Sequence, residues 1–120
     1  IGLSFKSGTD DLRESPLVTL AEQLIGKGID LQIHDPNVQL SRLLGANRRY
    51  IEEKLPHIGK LLMEDCTALI HHSDIVILGL SDAHLVEQVV AEANEPQVVL
   101  DLVGMPGRDR LRADYQGICW

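Results

Sequence analysis

Two cationic side chains, Lys6 and Arg13, lie within the segment SFKSGTDDLRESP at residues 4–16. The segment follows a short apolar stretch and leads into apolar residues at helical spacing, which predicts a connection between a strand and a helix. The start of a helix favours anions, because its unpaired backbone N–H groups and its dipole present positive charge. Lysine adds a positive charge on a flexible side chain, and arginine adds a planar guanidinium that can bind two phosphate oxygens at once. The segment therefore predicts half of a nucleotide-binding site.

A second interpretation is equally compatible with these residues taken alone. Both cations would then pair with Asp10, Asp11 and Glu14 on a solvated turn, where ion pairs contribute little to stability. The two aspartates also admit two interpretations, either as paired catalytic carboxylates or as residues that shape the turn and hold Arg13 in position. We favour the turn, because aspartate side chains in such loops commonly accept neighbouring backbone N–H groups.

Strands and helices alternate along the chain, which predicts an α/β fold: a Rossmann-like, open, mostly parallel sheet with helices on both faces. Ser15 and Pro16 are typical of an N-cap and a first helical position. The fingerprint GxGxxG is absent after the first strand, so we expect the chain to form one edge of a shared cleft and not to bind a dinucleotide alone. The predicted strands are 1–4, 30–34, 74–80 and 97–102, the predicted helices are 16–25, 37–44, 48–54, 63–72 and 83–93, and the tail to residue 120 is predicted as short helix and coil.

The bulk composition restricts the class of protein. The 120 residues fit one domain, and the net charge of −7 argues against a nucleic-acid surface, which needs a basic face. No apolar run approaches the roughly 20 residues of a membrane-spanning helix. The chain begins with isoleucine inside a predicted strand, so we expect a fragment of a longer protein.

The remaining candidate residues favour structural roles. Cys66 and Cys119 are far apart and form no disulfide framework, which is typical of a reducing cytoplasm, and both are predicted to be structural. The five histidines have no spacing typical of a metal site, so none is predicted. Asp35 follows the second predicted strand, where it would either meet a ribose hydroxyl or form a turn before Pro36. The missing glycine fingerprint favours the turn.

The segment SFKSGTDDLRESP, together with HDP at residues 34–36 and DLVG at residues 101–104, resembles the carboxyl-terminal domain of the nucleotide-sugar 6-dehydrogenases, the UDP-glucose and GDP-mannose dehydrogenase family. The resemblance covers essentially the whole chain, so residues 1–120 are interpreted as the nucleotide-sugar-binding domain of a larger enzyme. It implies that Lys6, in its family position after a phenylalanine, contacts the nucleotide sugar. It also implies that Arg13, in the TDD-x-R signature, reaches an NAD cofactor bound mainly by another domain.

Within the family, TDDLRESP and the ending GICW favour GDP-mannose as the substrate. The implied reaction oxidises GDP-mannose to GDP-mannuronate with two NAD in succession, for synthesis of an alginate-type polysaccharide. It needs a cysteine thiolate as nucleophile, which the family carries upstream of this domain. No residue of this chain is therefore assigned a catalytic role, and the chain alone is expected to be inactive. The resemblance further implies a cytoplasmic homo-oligomer.

Three alternatives stay open on these residues. The same domain would also suit a UDP-glucose 6-dehydrogenase. A non-catalytic receiver domain carries an acid pair after its first strand, as Asp10 and Asp11 do, but it needs a lysine after its fifth strand, and residues 101–104 contain none. A purely structural assembly domain is the third alternative, since members of the family form homo-oligomers.

Overall fold

The computed structural model of the chain describes residues 1–39 and 48–118. These residues form two compact units. The first, here called the loop unit, comprises Gly2–Glu64, and the second, the sheet unit, comprises Ile1 and Asp65–Trp120. Within the described ranges, no helix has the length and apolar character that crossing a membrane requires.

The loop unit contains helices α1 (Pro16–Gly26), α2 (Arg48–Lys54) and α3 (Pro56–Gly59), and residues 36–39 are also helical. α1 begins as predicted, with Pro16 in its first turn and Ser15 as the N-cap, whose side chain accepts a hydrogen bond from the N–H of Leu17. The predicted helix over 37–44 lies within the described residues only as far as residue 39, and the predicted break at 45–47 lies outside them.

The apolar side chains of α1 are buried to different degrees. Val18 and Ala21 are buried, whereas Leu17 and Leu20 stay partly exposed. The helix therefore packs with a narrower face than its composition suggests. The buried cluster of the unit comprises Leu3, Leu12, Val18, Ala21, Ile33, Val38, Ile51, Leu55 and Ile58.

Two predicted strands, 1–4 and 30–34, are wrong as strand assignments. In the first segment Gly2 has a φ of 97°, which interrupts the pleat, and the next two N–H groups bond to a side chain. In the second segment only a single bridge forms, between Ile33 and Leu62. Both segments contain the expected apolar residues, but their backbone groups form isolated hydrogen bonds, such as that from the Gly2 N–H to the carbonyl of His34, and no continuous ladder.

The sheet unit consists of helices around three parallel strands. Helix α4 (Cys66–His71) precedes β1 (Ile75–Leu78), and α5 (Ala83–Glu92) connects β1 to β2 (Val98–Asp101). A 3₁₀ turn then leads to β3 (Asp114–Gly117), and the strand order is β1-β2-β3. Ile1 adds a parallel-type pairing beside β1, since its N–H donates to the carbonyl of Ile77 (2.7 Å) and its carbonyl accepts from Gly79 (2.8 Å). The predicted α/β, parallel architecture is confirmed.

Most predicted elements of this unit are confirmed with shorter bounds. α4 begins three residues later than predicted, because the Asp65 side chain accepts the N–H of Ala68 and caps the helix there. The tail was predicted as short helix and coil: the short helix is confirmed at Arg108–Arg110, but residues 114–117 form β3 and not coil. The sequence DYQG contains no β-branched residue, so its composition does not predict a strand. In the sheet, β3 pairs with β2 in a register that places Gly117 beside Asp101.

Candidate functional site

The loop between residues 4 and 15 carries both predicted binding residues, and Asp35 fixes its beginning. The Asp35 side chain is fully buried, and its Oδ2 accepts hydrogen bonds from the N–H groups of Leu3 (2.8 Å) and Ser4 (2.9 Å). Its Oδ1 accepts the N–H groups of Asn37 (3.0 Å) and Val38 (3.2 Å). The carboxylate thus serves the turn that was predicted for it, and it also anchors a segment more than 30 residues away.

Two serines fix the ends of the same loop. The buried Ser15 donates from Oγ to the carbonyl of Leu3 at 2.7 Å, so the start of α1 is tied to the start of the loop. The buried Ser4 donates from Oγ to the carbonyl of Lys6 at 3.2 Å. The loop is closed further along by a hydrogen bond from the Phe5 N–H to the carbonyl of Asp11 (2.9 Å).

Lys6 lies on the exposed part of this loop. Across residues 1–39 and 48–118, no group pairs with its ammonium. Its neighbour Phe5 is also exposed, with 60% of its surface accessible. Lys6 thus presents its charge to solvent from a backbone that buried side chains hold in place.

Arg13 is engaged differently. Its Nε donates to Asp11 Oδ1 and its NH2 group to Asp11 Oδ2, both at 3.0 Å, and its backbone N–H also donates to Oδ1. These hydrogen bonds lower the pKa of Asp11 and raise the pKa of Arg13. Because the Arg13 side chain is 76% exposed, the pair sets the direction of the guanidinium more than it stabilises the fold. The prediction that an aspartate of this loop holds Arg13 is confirmed for Asp11.

An open hollow of about 400 Å³ lies beside Arg13. It is lined by Thr9, Asp10, Asp11, Arg13 and Tyr50. The structure therefore brings Arg13 to a concave surface and does not place Lys6 on its lining. Tyr50 was missed by sequence reasoning, because a tyrosine on a short helix far along the chain gives no pattern that points to this loop.

The described cysteine agrees with the structural role predicted for it. Cys66 is a free, buried thiol at the start of α4, and burial raises the pKa of this thiol. A raised thiol pKa disfavours the thiolate, which is the nucleophilic form. Cys119 lies outside the described residues. Within the described part of the chain, no three His, Cys, Asp or Glu residues come together in a way that could hold a metal ion.

Comparisons with known proteins agree on one group. A family-wide sequence profile, described as the UDP-glucose/GDP-mannose dehydrogenase family, UDP binding domain, matches residues 1–106. A GDP-mannose 6-dehydrogenase of Pseudomonas syringae pv. tomato is 50% identical over 121 residues, which cover 100% of this chain and 27% of that protein. A UDP-glucose 6-dehydrogenase of Pseudomonas aeruginosa is 54% identical, but over 35 residues, which cover 29% of this chain and 8% of that protein.

A solved structure has the same fold. The crystal structure of a ternary complex of GDP-mannose dehydrogenase from Pseudomonas aeruginosa superposes with a TM-score of 0.86 at 50% sequence identity. The match covers 99% of this chain and 27% of that one. The chain therefore spans about a quarter of the length of the relatives that it matches over its whole length.

Proposed function

The chain belongs to the UDP-glucose/GDP-mannose dehydrogenase family, and we propose that it is the carboxyl-terminal, nucleotide-sugar-binding domain of an NAD-dependent GDP-mannose 6-dehydrogenase. The whole enzyme would oxidise GDP-mannose to GDP-mannuronate in two steps, for synthesis of an alginate-type polysaccharide. Residues 1–120 would form one side of the substrate cleft. The NAD-binding and central domains would come from other parts of the enzyme.

The observation that carries this proposal is the extent of the sequence identity. Half of the residues are identical to a GDP-mannose 6-dehydrogenase along the entire chain, whereas the UDP-glucose enzyme matches over 35 residues alone. Base and sugar specificity require many positions to agree, so a match over the whole domain supports GDP-mannose as the substrate. Lys6 is exposed on a firmly held loop, and its ammonium has no partner among residues 1–39 and 48–118, which supports a contact with an anionic ligand.

In this proposal the two cations have different tasks. Lys6 contacts a diphosphate oxygen of the nucleotide sugar and offsets its charge, because an ammonium forms a charge-assisted hydrogen bond to phosphate. Arg13 presents its guanidinium, oriented by Asp11, to the cofactor. Both contacts bind and orient the reactants, which raises the effective concentration of the reacting groups.

The residues around Arg13 fit a cofactor held mainly by another domain. The open hollow beside Arg13 carries its guanidinium and the Tyr50 ring together with the carboxylates of Asp10 and Asp11, a mixed lining that suits contact with part of a dinucleotide. The glycine fingerprint that would bind a whole dinucleotide is absent from the sequence. When bound, NAD supplies the hydride acceptor for the oxidation.

The location and assembly follow from the same reasoning. We place the enzyme in the cytoplasm, because its substrates are nucleotides and because Cys66 is a free thiol, which suits a reducing compartment. We also propose that the enzyme is a homo-oligomer.

The isolated chain is expected to show no turnover with GDP-mannose and NAD. The reaction needs a reactive thiolate, whereas Cys66 is buried and has a raised pKa. The measurement is absorbance of NADH at saturating GDP-mannose and NAD, with the full-length enzyme as the positive control. Steady NADH production by residues 1–120 would show that the chain carries a nucleophile of its own.

Substrate choice is tested by competition in the full-length enzyme. GDP-mannose is expected to displace a fluorescent GDP analogue at concentrations at least about 100-fold lower than UDP-glucose, because a site built to bond one base leaves its polar groups unpaired with the other. Free GDP and UDP serve as controls that separate base recognition from sugar recognition. Stronger displacement by UDP-glucose would assign the chain to the other branch of the family.

A further inference from the structure

Among the described residues, Asp35 and Asp101 are fully buried aspartates whose carboxylates each accept several hydrogen bonds. Asp101 accepts three backbone N–H groups of the loop that follows β2 (residues 103–105) and the hydroxyl of Tyr115 at 2.7 Å. Asp35 accepts four backbone N–H groups, two of them from the segment that leads into the Lys6 loop. The two residues are alike in burial and in accepting backbone N–H groups, and two of the bonds to Asp35 come from the segment that carries Lys6.

A short chain of hydrogen bonds connects Asp35 to the backbone of Lys6. Asp35 Oδ2 accepts the N–H of Ser4 at 2.9 Å, and the hydroxyl of Ser4 donates to the carbonyl of Lys6 at 3.2 Å. Ser4 is itself fully buried, its bond to Asp35 lies in the interior, and its bond to the carbonyl of Lys6 is partly buried. The lysine side chain is mobile, but the point from which it extends is fixed.

We propose that Asp35 is a positioning residue for Lys6, acting through Ser4 to fix the backbone from which the ammonium reaches the nucleotide sugar. This inference rests on the proposed function, in which Lys6 contacts the substrate. A long exposed side chain loses conformational freedom when it binds a ligand. A backbone already fixed in position reduces that loss and keeps the ammonium within reach of the ligand.

The test uses the full-length enzyme and titration with GDP-mannose and, separately, with NAD. In Asp35→Asn the amide nitrogen cannot accept hydrogen bonds, so one pair of backbone N–H groups loses its acceptor. We expect about tenfold weaker binding of GDP-mannose, since small misplacements of a binding group carry effects of this order. The matched control is Asp101→Asn, which removes the same kind of bonds in the sheet unit and is expected to leave GDP-mannose affinity within about threefold.

Combining Asp35→Asn with Lys6→Ala distinguishes a role in positioning Lys6 from general destabilisation of the fold. If Asp35 acts through Lys6, then Asp35→Asn is expected to weaken GDP-mannose binding no further in a Lys6→Ala background. The inference would be overturned if Asp35→Asn weakened GDP-mannose binding equally in the wild-type and Lys6→Ala backgrounds. It would also be overturned if Asp35→Asn and Asp101→Asn weakened GDP-mannose binding equally. If Lys6→Ala itself leaves GDP-mannose binding unchanged, the proposed function fails and not merely this inference.

If Asp35→Asn does not fold, a milder pair of variants tests the same positioning role. Ser4→Ala removes the hydroxyl that donates to Lys6, and Ser73→Ala removes a comparable hydroxyl that donates to the carbonyl of Leu69 at 2.6 Å. We expect about threefold weaker GDP-mannose binding for Ser4→Ala, in keeping with the loss of one neutral hydrogen bond, and no change for Ser73→Ala. Equal affinities for the two variants would overturn the inference.

Discussion

Replacing Lys6 by alanine in the full-length enzyme is expected to weaken binding of GDP-mannose by about 10- to 100-fold. A hydrogen bond to a charged group contributes about 1.5–3 kcal/mol, and each 1.4 kcal/mol corresponds to a factor of about ten in affinity. The stability of the fold should hardly change, because Lys6 is exposed and makes no contact with its ammonium in the described parts of the chain. The dissociation constant measured by calorimetric titration is the direct readout.

Two further variants, NAD binding and the salt dependence show whether this result is specific to Lys6. Lys27→Ala removes another exposed lysine of the same unit, just after α1, and is expected to leave GDP-mannose affinity unchanged. Lys6→Arg keeps the charge and should retain part of the affinity, whereas NAD binding should be unaffected by any of the three substitutions. The loss should shrink as salt rises, because screening weakens an exposed charge contact. Equal affinity in Lys6→Ala and Lys27→Ala would contradict the role proposed for Lys6.

The largest expected effect on stability comes from the sheet. Leu78, at the end of β1, is completely buried, and its replacement by alanine is expected to lower the free energy of unfolding by about 2–5 kcal/mol, which combines lost apolar burial with the cavity left behind. The measurement is urea denaturation of the 120-residue chain, followed by far-UV circular dichroism.

A matched residue lies on the same strand. Ile75, at the other end of β1, is 60% exposed. Ile75→Ala is therefore expected to change the free energy of unfolding by no more than about 0.5 kcal/mol. If Leu78→Ala and Ile75→Ala lowered the free energy of unfolding by similar amounts, the two ends of β1 would not differ in burial as the structure shows.

The strongly patterned elements could be predicted from the sequence. The run DIVILGL before α5 is apolar and β-branched, and it forms β1. Ser15 and Pro16 marked the start of α1 by residue type alone. Such signals are local, so they can be read without knowing the rest of the fold.

The elements that depend on distant partners could not be predicted in this way. Residues 1–4 have an apolar, strand-like composition, but Asp35 takes up the N–H groups of Leu3 and Ser4, and a strand does not form there. Residues 114–117 are polar and glycine-ended, and pairing with β2 makes them a strand nonetheless. In both cases a long-range hydrogen bond outweighs local propensity.

The candidate site could also be predicted only in part. The two cations of the loop lie in one sequence segment, and the Arg13–Asp11 pair joins residues two positions apart, so both could be predicted from the local sequence. Tyr50 on the hollow and the anchoring role of Asp35 could not, because each is brought to the loop by folding across a long separation in sequence.

The role of Lys6 is best tested by a structure of the full-length enzyme with GDP-mannose bound. We expect the Lys6 ammonium to lie about 2.7–3.2 Å from a diphosphate oxygen, the distance of a hydrogen bond, while the backbone around it keeps its bonds to Ser4 and Asp35. A bound nucleotide sugar whose diphosphate is contacted by other groups, with Lys6 left in solvent, would contradict this role.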